Sequence, residues 1–166
     1  MNRTRELVFT ALLVSIALAV SLIESMIPMP FMVPGAKLGL SNMIILVTLL
    51  NFSFKRGFQV AVLKSILLML VTGFGPSFLY SFAGAVFSTC MMGISLKYFS
   101  KAFSTIGVSI IGAVAHNFAQ ITVASFVLGN VMVYTYFPFL TFVGMVTGYF
   151  VGLGGHNVST HLRKIL

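Results

Sequence analysis

Six apolar runs, each too long or too dense in aliphatic and aromatic side chains for a water-facing surface, set the terms for this chain. They cover 7–27, 38–54, 57–72, 78–99, 103–128 and 131–153. A helix crossing the hydrocarbon of a bilayer takes about 20 apolar residues, with a range of roughly 17–25. The second and third runs are the shortest. The breaks between runs carry helix-ending signals. "PMPFMVPG" (Pro28–Gly35) lacks backbone donors at its prolines and disfavours helix before them. Lys55-Arg56, "GFGPS", the Lys97 to Lys101 stretch and Gly129-Asn130 supply the others. Only 7% of the 166 residues are charged, against roughly 25% in soluble domains. The expected fold is an all-α integral membrane protein, a single domain of six transmembrane helices in the bilayer of the cell membrane. The basic start precedes an apolar run longer than a signal-peptide core of about 7–15 residues and lacks a small-x-small cleavage pattern, so it reads as a retained first helix.

The charges follow that division. Ten Lys and Arg stand against two acids, Glu6 and Glu24. The basic residues come in dispersed pairs between apolar runs, which points to topology and not to nucleic acid. With six crossings, Arg3, Arg5, Lys55, Arg56, Lys97, Lys101, Arg163 and Lys164 share one side and Lys37 lies on the other. The positive-inside rule then puts both termini in the cytoplasm.

Polar side chains inside the runs hold the remaining information, because helix hydrogen bonds already satisfy the backbone. Lys64 is seven residues into the third run, roughly 10 Å from its end at 1.5 Å per residue. A lysine at that depth costs at least ~2.5 kcal/mol on insertion scales, so it is read first as lining a ligand or ion site. His116 is about halfway along the fifth run, and His116/Gln120 and Asn117/Gln120 are spaced i,i+4 and i,i+3, which puts all three on one stripe. That stripe is expected to face Lys64 and Glu24 across a polar cavity, with Asn42 nearby and Lys37 and the Pro-rich 28–35 segment as its gate. "TGFGPS" (Thr72–Ser77) is placed at the rim, with Phe31, Phe74, Tyr80, Tyr134 and Phe137 as candidate apolar walls. For Asn42, Asn117 and Gln120 the competing reading is helix–helix hydrogen bonding worth about 0.6–2 kcal/mol each. On the first run Ala11, Ser15 and Ala19 form a small-residue stripe, which suits packing within the bundle or docking of a partner helix.

Several chemistries lack their residues. There is no GxxxxGK[ST] phosphate loop. Both acids are glutamates, so no aspartate exists to hold Mg²⁺ for diphosphate chemistry. No Cys/His spacing suggests a metal site, and the single Cys90 excludes an internal disulfide. No nucleophile has a base and a carboxylate partner at a sensible depth. The expectation is a non-enzyme with no cofactor of its own.

Three segments carry a resemblance: "VPGAKLGLSNMIILVTL" (Val33–Leu49), the helix bearing Lys64, and "GAVAHNFAQ" (Gly112–Gln120). They resemble the Gx transporter family, also labelled heptaprenyl diphosphate synthase component I, over nearly the whole chain. The resemblance implies a six-helix protein similar to the substrate-binding S components of energy-coupling factor transporters. Such components bind vitamins or related molecules and dock through small residues of helix 1 onto a coupling subunit with two ATPases. The expected function is therefore a substrate-binding subunit for uptake of a small vitamin-like or cofactor-precursor molecule. Lys64 would supply charge, with His116, Asn117, Gln120, Asn42, Glu24 and Lys37 orienting or admitting the ligand. Two alternatives stay open: a non-catalytic membrane subunit assisting a flavin- or quinone-linked or prenyl-lipid enzyme, and a proton-coupled secondary carrier.

Overall fold

A computed structural model describes residues 3–27 and 38–164, apart from the side chains of Arg3 and Ser77. Helices account for the architecture, and no strand occurs among the described residues. The helices are α1 (Arg3–Ser25), α2 (Asn42–Asn51), α3 (Phe54–Thr72), α4 (Pro76–Tyr98), α5 (Thr105–Leu128) and α6 (Phe137–Leu162), the last entered through a 3-10 turn at Val131–Tyr136. Four stretches are long and apolar enough to cross a membrane: Thr4–Ser25, Phe78–Tyr98, Thr105–Leu128 and Val131–Leu162. That is the helix content of a multi-pass membrane protein.

Local chemistry sets the helix ends. Ser53 and Ser104 accept the backbone N–H of Arg56 and Gly107, capping α3 and α5. Pro76 occupies the first turn of α4, where its missing donor costs nothing. Gly129 ends α5 in the left-handed conformation. Two helices differ from the apolar runs that contain them. The second run yields only ten helical residues, because Gly39 takes φ +79° and residues 38–41 stay non-helical. The sixth continues past Leu153, so "GGHNVSTHL" is helix and carries His156 and His161 with it.

Glycines let α6 approach α5. Gly144, Gly148 and Gly152 recur every four residues on one face of α6. A Cβ at Gly148 would lie 2.9 Å from the Cα of Ile110, and one at Gly152 would lie 2.7 Å from the Cα of Ile106. The two backbones therefore pack at a distance only glycine permits, as small-residue interfaces do in membranes. On its other side α5 packs along α4. Short α2 is the centre of the bundle, touching α1, α3, α4, α5 and α6. Among the described residues α3 and α5 do not meet; α2 stands between them.

Side chains tie together the ends that carry the basic residues. Arg56 at the start of α3 pairs with Glu6 near the start of α1, and its Nη1 donates to Thr10 Oγ1 at 2.8 Å. Asn51 at the end of α2 donates to Ser159 Oγ at 2.8 Å, and Arg163 donates to the Leu50 carbonyl at 3.1 Å. Thr105 Oγ1 at the start of α5 lies 3.4 Å from His156 Nδ1 near the end of α6. The starts of α1, α3 and α5 and the ends of α2, α4 and α6 thus form one basic face.

Candidate functional site

The four residues before and at the start of α2, Gly39-Leu40-Ser41-Asn42, are where side chains from three other helices converge. From α1, Glu24 Oε1 accepts the backbone N–H of Gly39. From α3, Lys64 Nζ donates to Ser41 Oγ at 2.7 Å and to Ser21 Oγ of α1 at 3.2 Å. From α5, His116 Nδ1 lies 3.3 Å from Asn42 Nδ2, and its Nε2 lies 2.8 Å from Gln120 Nε2. Lys64 and His116 are 1% exposed, Gln120 2%, and Glu24 and Asn42 4%. Many other hydroxyls in the helices bond back to a carbonyl four residues earlier, as those of Thr48, Ser65 and Thr89 do. Ser21 and Ser41 instead receive the lysine.

Lys64, His116 and the start of α2 sit at one depth. Ten residues separate Phe54 from Lys64, a rise of about 15 Å, and eleven separate Thr105 from His116, about 16 Å. The ten residues of α2, counted back from the basic face, also reach about 15 Å. The hydrocarbon core is about 30 Å thick, so the three helices meet near its middle. Non-helical backbone at that depth is tolerated only where protein or a wet cavity surrounds it. Here Glu24, Lys64, Asn42 and His116 surround it.

Two glycines make room for this arrangement. A Cβ at Gly39 would lie 2.9 Å from Asn42 Nδ2 and 3.3 Å from His116 Cδ2, in a backbone conformation that side chains rarely adopt. A Cβ at Gly84 of α4 would lie 2.7–2.9 Å from three atoms of the imidazole. The ring is therefore clamped between the α2 turn and the backbone of α4.

The hydrogen bonds of the imidazole restrict its neighbours. A neutral ring has one donor and one acceptor nitrogen, so it cannot accept from two amides. Asn42 Oδ1 is buried with no hydrogen-bond partner among the described residues. Turning the Asn42 amide so that Oδ1 accepts from Nδ1–H leaves Nε2 to accept from Gln120, and each ring nitrogen is then used once.

An apolar core closes the site toward the basic face. It includes Val14 and Ala17 of α1, Ile44 to Leu46 of α2, Val60 and Ala61 of α3, and Val108 of α5. A smaller cluster of Tyr80, Ala124 and Val133 packs between the start of α4 and the end of α5. Lys37, Phe31 and the 28–35 segment, expected as gate and wall, lie outside the described residues.

The expected residues divide. Lys64, Glu24, Asn42, His116 and Gln120 share the polar layer, although Lys64 and His116 meet through α2 and not face to face. Asn117 does not join them. Its Nδ2 donates to the Leu140 carbonyl of α6 at 2.7 Å, beside Gly144. One residue of helix rotates the side chain by about 100°, enough to move Asn117 from the His116 side to the α6 seam, so the single-stripe expectation fails there. Ser21 and Ser41, absent from the expected set, are the hydroxyl partners of the lysine. Of the expected walls, Phe74 is exposed, Tyr80 is buried, Tyr134 donates to Thr122 Oγ1 at 3.0 Å, and Phe137 packs edge-on against Phe118. Ala11, Ser15 and Ala19 are all exposed on the outer face of α1, while Val14, Ala17, Ser21 and Glu24 turn inward. The stripe therefore does not pack within the bundle. Among the described residues no group of three His, Cys, Asp or Glu gathers that would hold a metal ion.

A helical multi-pass protein with a half-length helix beginning at mid-depth, held by a buried lysine and histidine, defines the class. A family model described as heptaprenyl diphosphate synthase component I matches residues 13–158, and the chain belongs to that family. The family name implies a component that works with another subunit. No curated protein and no solved structure matches the chain.

Proposed function

We propose that this chain is the membrane-embedded substrate-binding subunit of an uptake system for a small vitamin-like or cofactor-precursor molecule, driven by partner ATPase subunits. One observation carries the reading: the ammonium of Lys64 and the imidazole of His116 are buried at mid-depth against the same non-helical turn. Intramembrane ionisable groups mark substrate or ion pathways, and transporters place their sites at interrupted helices near the midplane. In this reading Lys64, Glu24, Asn42, His116 and Gln120 contact the ligand, and Lys37 lies at its gate. Asn117 holds α6. The outward stripe of Ala11, Ser15 and Ala19 on α1 is the docking face for the coupling subunit. The basic face is cytoplasmic by the positive-inside rule, with both termini there and the bilayer being the cell membrane. The chain is not itself an enzyme, since no aspartate is present for metal-diphosphate chemistry.

The test is mass spectrometry of small molecules retained through purification, followed by binding of the identified compound to the parent, Lys64→Ala and Gln120→Ala. Loss of binding in both variants supports the site. Unchanged binding rejects it.

The family description favours a second reading, a non-catalytic subunit assisting a prenyl-lipid enzyme. Copurification separates the two. Recovery with a coupling subunit and ATPases supports uptake, and recovery with a synthase or reductase supports the accessory role.

A further inference from the structure

The turn joining α4 to α5 carries two lysines among exposed aromatic rings, on the face where every other end is also basic. Lys97 and Lys101 are exposed, as are Tyr98, Phe99 and Phe103. Lys97 Nζ stands 5.2 Å from the centre of the Tyr98 ring. Two other cations of this face are committed within the protein. Arg56 is held by Glu6 and Thr10, and Arg163 by Leu50 and Asn51. Among the described residues the one acid on this face is Glu6, so no local carboxylate is left over for the turn.

We propose that the Lys97–Phe103 turn is a binding surface for anionic phospholipid headgroups, the lysines taking the phosphate and the rings sitting at the headgroup level. Charge complementarity selects this occupant: cations just beyond the end of a spanning helix attract acidic lipids. The aromatic neighbours place it in the bilayer interface, where amphipathic and aromatic rings collect. An acidic soluble protein would meet the same charges, but it gains nothing from rings that lie at the hydrocarbon boundary.

The chain has no tryptophan, so Tyr98→Trp places a single, selectively excitable tryptophan at the turn. The variant is reconstituted in vesicles of phosphatidylcholine mixed equally with phosphatidylglycerol, with bromine on the acyl chains of one lipid or the other. Brominated phosphatidylglycerol is expected to quench more strongly than brominated phosphatidylcholine. Local enrichment of the acidic lipid should fall roughly fivefold for each lysine neutralised. Lys97→Gln with Lys101→Gln should therefore equalise the two lipids, while Lys164→Gln, beyond the end of α6, should leave the preference intact. High salt should weaken the preference. Equal quenching in the parent overturns the proposal. So does a Lys164→Gln variant that loses as much as the double variant, since the attraction would then belong to the whole face and not to this turn.

Discussion

Gly84→Ala tests whether the imidazole of His116 is held against α4. The added methyl would stand 2.7 Å from Cε1, 2.8 Å from Nδ1 and 2.9 Å from Nε2, whereas ordinary contact begins at 3.4 Å. The ring must retreat by roughly 0.5–0.7 Å, the difference between those distances. It has little freedom to do so, because Gln120 lies 2.8 Å from one nitrogen and Asn42 3.3 Å from the other. Overpacking of this kind costs about 1–3 kcal/mol. Loosening both side-chain contacts adds about 1 kcal/mol at the ~0.6 kcal/mol typical of intramembrane hydrogen bonds. Alanine returns about 1 kcal/mol through its better helix propensity. The net loss is about 1–3 kcal/mol, or roughly 3–10 °C in apparent melting temperature for a chain of this length. Gly107→Ala is the control. It is also helical, its new methyl meets only Phe103 at 3.4 Å or more, and it should melt at or above the parent. Adding His116→Ala to Gly84→Ala should relieve the clash, with a coupling of about 1 kcal/mol or more in the double-mutant cycle. A Gly84→Ala protein that melts with the parent, or a cycle with no coupling, would refute the seating of the ring.

Three further outcomes follow from the same packing. Lys64→Met keeps most of the side-chain volume but takes the cation out of a layer that also buries Glu24, and it leaves Ser21 and Ser41 without their donor; removing one charged member of a buried group costs about 3–5 kcal/mol, so thermal melting should fall, and binding of any ligand identified by copurification should be lost. Gly148→Val drives a branched side chain against the Ile110 Cα, which cannot move aside, and should cost about 3 kcal/mol or more, read as aggregation in size-exclusion chromatography. Ala11→Leu with Ala19→Leu enlarges only exposed positions of α1, so melting should be unchanged while copurification of the partner subunit falls.

The membrane class and the number of helices were legible because the solvent imposes them. Apolar length and flanking charge are one-dimensional properties, and the basic residues of α1, α3 and α5 starts do share a face with those of α2, α4 and α6 ends. The depth of Lys64 was legible for the same reason: an ammonium stands out in any apolar run. Its partners, Ser21 and Ser41, were not, because serines are common in membrane proteins and usually bond to their own backbone. The run 38–54 reads as continuous apolar sequence, and only Gly39 with Ser41-Asn42 after it hints that helix starts late. Asn117 was misplaced because i,i+3 spacing to Gln120 permits a shared face without requiring it. The deciding contact is Gly144 on α6, and the Gly144/Gly148/Gly152 spacing was present in the sequence as the signal for a close helix seam. What spacing alone does not tell is which helix fills that seam.

The interruption before α2 and the polar residues around it explain one another only in part. Once residues 38–41 leave the helix, their peptide groups need partners at a depth without water; Glu24 supplies one by accepting the Gly39 N–H, while Lys64 takes the Ser41 hydroxyl. Yet a helix extended back from α2 through residue 38 would move its unsatisfied N–H groups about 6 Å away from this depth with no buried lysine, glutamate or histidine at all. Helix–helix adhesion does not demand the interruption either, because the glycine seam of α6 and the α4–α5 contact already fix α5 in place. Asn51, Ser159 and Arg163 likewise anchor the far end of α2. Under the proposed uptake function, a ligand that must reach those groups accounts for a break placed where three helices bring polar groups together. Restoring the helix with Gly39→Ala while keeping every polar side chain separates the two roles: a folded protein that no longer retains its ligand supports the site, and one that retains it undiminished removes the reason for placing the site at the break.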